Sequence, residues 1–377
     1  MLTRQAALRY SSRRMNMPAL PIEIIRLILA HLSLSPPASP LLAALPYSHA
    51  IRSERPTPGV SGLLACCLVN KAFLAEAQPL LLHSVYILSE ADAKSWLKSA
   101  ASHGNLASHI RRLCLSCAEA EDAIGHILRT STKLRCLTLD AKGAESRDCL
   151  AECINVALQK CERLECISLT ALTSIKTLSM VYNLPYRLRC LEIHGLYKYK
   201  GALWDNSQDW IDADSVIFDG VKMVDKWDMH FLFQLFEVSS TKPPRILTFR
   251  RCQVSFVLLP EATYASVGKI ILEEAPKLLE LDHLDRFARL GTLAIGAKHD
   301  FIKLGCCLTA VERLHLTSCN APTFKMVIQW ISKGYYPNLA IISMEKAHLQ
   351  ACADGSSWME TLNSVCPGIS IQLTSSV

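Results

Sequence analysis

The chain has 377 residues, half of them hydrophobic and a fifth charged, with a formal net charge of +6. Its length allows a core that needs neither metal nor disulfide, and its composition excludes a largely disordered, collagen-like or low-complexity protein. The longest apolar run considered, Gly62–Val69 (GLLACCLV), has eight residues, whereas a membrane-spanning helix needs about 18 or more. A helical transporter is therefore excluded, and no membrane partner is expected. Lys and Arg are dispersed, with Arg111–Arg112 and Arg250–Arg251 as isolated pairs. Nucleic-acid binders gather such residues into a stripe, so no nucleic-acid partner is expected either.

Residues 1–16 carry Arg4, Arg9, Arg13 and Arg14 and no acid. They read as a disordered tail or a start placed upstream of Met17; the other reading is a mitochondrial presequence. From Met17 to Leu32 the sequence is MPALPIEIIRLILAHL. Leu20, Ile24, Ile28 and Leu32 recur every four residues and Ile25 and Leu29 fill the adjacent row, which makes one broad apolar helical face. Pro21 suits the first helical turn, and Glu23 suits the positive end of the helix dipole. Residues Ser33–Gly62 hold six prolines and read as a loop. Helical periodicity resumes over Leu63–Ala77, Pro79 is expected to end it, and Leu80–Leu88 looks extended.

This segment resembles an F-box, and fungal members of that family in particular. Leu20-Pro21-Ile22-Glu23-Ile24 matches the family's opening, and Leu64, Leu68, Val69, Asn70, Lys71 and Phe73 match its second half. The resemblance covers about seventy residues and departs from the family in the length of the Pro-rich insertion at 33–62 and in Phe73, where Trp is commoner. It implies a small all-α module over 17–88 that docks on a Skp-type adaptor held by a cullin–RING ubiquitin ligase. The implied adaptor-binding residues are Leu20, Pro21, Ile24, Ile28, Leu32, Leu64, Leu68, Val69 and Phe73. Some of these apolar residues must instead form the module's own core, because so small a unit has little else to bury.

Beyond residue 89 a six-residue pattern, apolar-x-x-apolar-x-apolar, recurs. It starts at Ile110, Leu134, Leu164, Leu188, Ala213, Pro244, Leu290, Val311, Leu339 and Cys366. Most intervals lie between 21 and 31 residues; one is 46 and holds a further candidate, LLELDH from Leu278. The last two apolar positions of each copy alternate as a strand does. Amphipathic runs at Cys149–Leu158, Phe231–Val238 and Phe324–Ile331 read as covering helices. The mean interval lies near the leucine-rich-repeat period. The expected class is therefore α/β: a helical module followed, over 89–377, by an irregular leucine-rich-repeat-like solenoid with a parallel strand ladder. Cys252 and Cys319 occupy the position where such repeats favour Asn or Cys. The segment Tyr197–Asp228, rich in Trp, Tyr and Asp, reads as aromatics plugging an irregular repeat with aspartates in turns; the other reading is a surface for a basic partner.

Of the sixteen cysteines, Cys114, Cys136, Cys166, Cys190, Cys252 and Cys319 sit in or beside strand-like runs and read as small buried hydrophobes. Reduced thiols imply a reducing compartment, cytoplasm or nucleus. Cys114-x-x-Cys117 lacks a second ligand pair, so no metal is expected. Asp282, His283 and Asp285 read as a repeat edge. No phosphate-binding glycine loop, nucleophile elbow or HExxH occurs, so neither a catalytic residue nor a cofactor is assigned. The leading function is substrate recognition for a ubiquitin ligase, with the repeats holding an unidentified target protein. The alternatives are a non-ligase interaction scaffold on the same solenoid and an enzyme of unrecognised class.

Overall fold

Alternation of apolar and polar residues draws twelve short segments into one sheet. The computed structural model describes residues 21–33, 65–102, 106–117, 121–141, 148–172, 175–195, 209–221, 232–236, 242–252, 259–273, 283–296, 307–317, 321–352 and 355–374. The chain divides into two compact units, Met1–Ser35 with Arg55–Leu81, and Pro36–Glu54 with Leu82–Val377.

The larger unit is a mixed α/β, solenoid-like array. Its strands are β1 (Ser84–Ile87), β2 (Arg112–Ser116), β3 (Cys136–Asp140), β4 (Cys166–Thr170), β5 (Leu188–His194), β6 (Ala213–Asp219), β7 (Ile246–Arg250), β8 (Lys269–Glu273), β9 (Thr292–Ile295), β10 (Arg313–Leu316), β11 (Ile341–Glu345) and β12 (Ser370–Thr374). They form one twelve-stranded sheet in sequence order, and every neighbouring pair is parallel. A parallel neighbour requires the chain to cross back between strands, and α-helices do so at several steps: α3 (Glu90–Ser102), α4 (Glu121–Thr130), α5 (Asp148–Leu158), α6 (Glu261–Ser266), α7 (Ala321–Ser332), α8 (Lys346–Ala351) and α9 (Gly355–Val365).

All ten starts of the six-residue pattern lead into strands. The 46-residue interval holds β8, which begins from VGKIIL at Val267. Pro244, Val267 and Leu290 thus start successive copies 23 residues apart. The Leu278 candidate falls almost wholly outside the described residues. The first rung also begins earlier than residue 89, because LHSVYI from Leu82 supplies β1, which pairs with β2. The expected helices at Cys149–Leu158 and Phe324–Ile331 match α5 and α7. Of Phe231–Val238, the described part is helical only over 232–234.

Two columns of side chains point into the core in register. One contains Leu137, Ile167, Leu191, Val216, Leu247 and Ile270; the other contains Leu139, Leu169, Ile193, Phe218, Phe249 and Leu272. All are almost completely buried, as are Ile124, Ile127 and Leu128 of α4, Ile154 and Leu158 of α5, and Phe324 and Val327 of α7. Between β6 and β7 rings fill the space: Phe218 stacks on Phe249 with centroids 5.3 Å apart and meets Phe233 at 5.7 Å. Repeats are also joined by polar groups. The Asn155 amide of α5 donates to the carbonyls of Ser179, Met180 and Tyr182 in the next layer, at 3.2, 3.2 and 2.7 Å. Arg187 binds Asp212 and Asp214, so these aspartates of the Trp- and Asp-rich segment serve as structural partners.

Immediately after β4, β5, β6 and β7 stand Ala171, Gly195, Gly220 and Arg251, with φ of 53°, 68°, 63° and 50°. A left-handed residue here turns the chain off the sheet while its N–H can still extend the ladder. Gly195, Gly220 and Arg251 donate to Asp219, Arg250 and Glu273 carbonyls at 2.9, 2.8 and 3.0 Å. No helix among the described residues is long and apolar enough to cross a membrane.

Phe249 and Leu373 belong to the same inward column, yet Phe249 is fully buried on β7 and Leu373 is 46% exposed on β12. Phe249→Ala is expected to cost about 3–5 kcal/mol and Leu373→Ala less than about 1 kcal/mol. Urea denaturation followed by circular dichroism checks the contrast; equal losses would contradict the stacking order.

Candidate functional site

The smaller unit is built on two helices, α1 (Ile22–Ser33) and α2 (Lys71–Leu81). Pro21 lies just before α1, and its carbonyl accepts from the N–H groups of Ile24 and Ile25 at 3.0 and 3.2 Å. Asn70 starts α2, its side-chain oxygen accepting from the Phe73 N–H at 3.0 Å. This is the N-cap arrangement that satisfies an otherwise orphaned donor. Pro79 forfeits one helical hydrogen bond, but it lies inside α2, which runs on to Leu81. The two helices meet through Ile25 and Leu29 on one side and Phe73 and Ala77 on the other, with Cys66, Cys67, Leu80 and Leu81 packed around them. Outside this contact the Arg26 guanidinium forks onto the Glu76 carboxylate at 3.0 and 3.2 Å. That pair fixes how the helices cross rather than adding much stability, since both ends are in water.

The broad apolar stripe of α1 is thereby split. Ile25 and Leu29 face α2, while Ile22, Ile24, Leu27 and Ile28 remain exposed. Leu68 and Val69, in the turn before α2, are 87% and 62% exposed, and Leu74 also faces solvent. Of the residues singled out from the sequence, Pro21, Ile24, Ile28, Leu68 and Val69 are on the surface. Phe73 is not: it is buried and belongs to the unit's core. Leu20 and Leu64 lie outside the described residues, as does the Leu32 side chain. Leu74 falls within the helical periodicity read over Leu63–Ala77, whereas Leu27 was not anticipated, since it lies on neither row of the periodic face of α1.

In the larger unit, the face of the sheet opposite the inward columns carries a charged network. His194, Asp219, Arg250 and Glu273 occupy one register position on β5 to β8, and Glu192 lies two residues before His194 on the same face. His194 directs Nε2 at Glu192 Oε1, 2.8 Å away, and Nδ1 at Asp219 Oδ2, 3.3 Å away. Arg251 forks over both Asp219 oxygens at 2.5 Å. Arg250 binds Glu273 at 2.5 Å and comes within 3.8 Å of Glu192. The Glu192 carboxylate is buried, and among the described residues neither of its oxygens receives a well-aligned hydrogen bond.

Glu192, His194 and Asp219 bring ligand atoms within 4.8 Å of one another, a donor set that a divalent cation accepts. The chain's own cations already engage these atoms. Three acids (Glu192, Asp219, Glu273) face three bases (His194, Arg250, Arg251), so the network is neutral when the imidazole is protonated. Burial alone would lower the His194 pKa; the Asp219 and Glu192 carboxylates beside the ring outweigh it and raise the value to about 9. Burial opposes ionisation of Asp219, but His194 and Arg251 overcome it and hold the carboxyl below its ordinary range.

The cysteines differ in burial. Cys114, Cys117 and Cys252 are buried, and burial pushes each thiol up to about 12. Cys252 donates to the carbonyls of Phe218 and Arg250 at 3.1 and 2.9 Å, which is a structural role. Cys319 lies outside the described residues. Cys136, Cys166 and Cys190 are not core residues; they are half-buried on the outward face. No protein-family model matches the chain, and no curated protein matches it in sequence.

Protonated His194 is held more tightly in the fold than in the unfolded chain, so its stabilisation is complete below about pH 6.5 and is lost as pH rises through 9. The wild type should exceed His194→Gln in stability by up to about 3 kcal/mol near pH 6, and the gap should narrow by pH 9.5. Thermal melts of both proteins across that range test this; a gap that does not change with pH would contradict the assigned protonation.

Proposed function

We propose that the protein is an F-box substrate receptor: its helical unit docks on a Skp-type adaptor of a cullin–RING ubiquitin ligase, and its leucine-rich-repeat-like strands hold a target protein. The observation that carries this reading is the outward set Ile24, Ile28, Leu68 and Val69. Their helices already have a core in Ile25, Leu29, Phe73 and Ala77, so the exposed residues are surplus to it. Apolar side chains on interlocking helical segments form the kind of surface that is buried on association. Their positions coincide with the F-box-like residues of the sequence. A parallel ladder repeating every 21–31 residues supports the leucine-rich-repeat-like assignment, and such arrays present extended binding faces.

In this role the protein performs no bond chemistry. It raises the effective concentration of a target's lysines near the ubiquitin-loaded enzyme. The free thiols fit work in the cytoplasm or nucleus. A non-ligase scaffold would share the repeat architecture and lack adaptor binding.

Binding of the full-length chain to a purified Skp-type adaptor separates the two. Ile24→Asp with Ile28→Asp, and separately Leu68→Asp, should weaken binding roughly a hundredfold or more with the far-ultraviolet spectrum unchanged. Unaltered affinity in these variants would remove the proposed surface. A wild-type chain that does not bind the adaptor would favour the scaffold.

A further inference from the structure

Alongside the charged network, the outward face carries thiols. Cys136, Cys166 and Cys190 stand in register on β3, β4 and β5. All three are half-buried and none is in a disulfide. Facing residues of neighbouring strands lie about 4.8 Å apart, inside the range of about 4.4–6.8 Å between the Cα atoms of a disulfide. Cys136 and Cys166 are direct partners in that register, so their side chains are neighbours on this face. Arg112 faces Cys136 across the register on β2, and both line a shallow depression with Tyr86, Cys114 and Thr138. Cys136 is thus a lining residue of a depression on this face and is partly open to solvent.

The two partners differ chemically. The adjoining Cys166 thiol lowers the Cys136 pKa; burial opposes it, Arg112 and Arg135 add to it, and the value falls to about 7. The same pairing, with burial, pushes Cys166 far up. Burial keeps Cys190 up at about 11. Of Cys136 and Cys166, Cys136 is the one that faces the Arg112 cation, which favours a thiolate there.

We propose that Cys136 and Cys166 form a peroxide-responsive dithiol on the outward face of the sheet, with Cys136 as the attacking sulfur and Cys166 as the resolving one. The Cys136 thiolate attacks one oxygen of a hydroperoxide and the O–O bond breaks. The other oxygen leaves, protonated, as water or an alcohol, and Cys136 becomes a sulfenic acid. The Cys166 sulfur then attacks Cys136, the S–S bond forms, and the hydroxyl leaves as water with the Cys166 proton. Two thiols lose two electrons and the hydroperoxide gains them. This inference is independent of adaptor docking, and its test reads no ubiquitin chemistry.

The test treats the reduced full-length chain with an equivalent of hydrogen peroxide at pH 7, blocks remaining thiols, and maps tryptic peptides. Trypsin releases Cys136 in residues 136–142 and Cys166 in residues 164–176, each with one cysteine, so their linkage is unambiguous. The expected product joins these two peptides. Cys166→Ser should leave a Cys136 sulfenic acid that dimedone traps. Cys136→Ser should slow oxidation of Cys166 about tenfold or more, because the attacking sulfur is removed. Cys190→Ser, the same change one strand away, should leave the rate unaltered and serves as the folding control. A disulfide joining Cys166 to Cys190, oxidation centred on another cysteine, or a Cys136→Ser rate equal to wild type would overturn the proposal.

Discussion

In a parallel sheet whose strands follow one another in chain order, each strand must offer the same two inward side chains at the same height. That constraint governs the larger unit. The two inward columns run through all twelve strands, and a one-residue slip in any rung would turn its apolar pair outward. Register is therefore fixed by burial. Because register is fixed, the opposite face is ordered as well, and residues far apart in the chain are brought side by side without any local sequence signal.

The outward face shows what that order produces. Glu192, His194, Asp219, Arg250, Arg251 and Glu273 balance one another in a partly buried network, and Arg251 adopts a left-handed backbone to complete it. A non-glycine residue there costs about 1–2 kcal/mol, which the fork onto Asp219 and the ladder bond to Glu273 offset. Four residues before the His194 position, on the same face, thiols stand at three successive rungs. The smaller unit follows a different logic. Among the described residues its core is four side chains, Ile25, Leu29, Phe73 and Ala77, and more large apolar side chains are exposed than lie in that core.

Much of the repeat architecture was legible in the sequence, because the apolar-x-x-apolar-x-apolar pattern is the direct imprint of the inward columns. Two rungs were passed over. β1 lies in the stretch Leu80–Leu88, which reads as extended but adjoins the helical module and is grouped with it, and β8 shares the long interval with the leucine-rich stretch from Leu278, which is out of step with its neighbours. The charged network and the thiol ladder were written in columns rather than in runs. Superposing the repeat copies places His194, Asp219 and Arg250 together, and likewise Cys136, Cys166 and Cys190, but only pairing shows that these columns face away from the core. In the helical unit, periodicity marks a stripe wide enough to hold both Ile24 and Ile25. Which of them is covered depends on where α2 lies, and Phe73 was placed on the surface for the same reason.

The central claim is that the exposed side chains of α1 and of the turn before α2 form an interface. Hydrogen–deuterium exchange of the full-length chain, alone and with a purified Skp-type adaptor, tests it directly. The expected result is added protection at residues 22–29 and 66–75, with the strands of the sheet unchanged. Protection confined to the strands, or none at saturating adaptor, would contradict it.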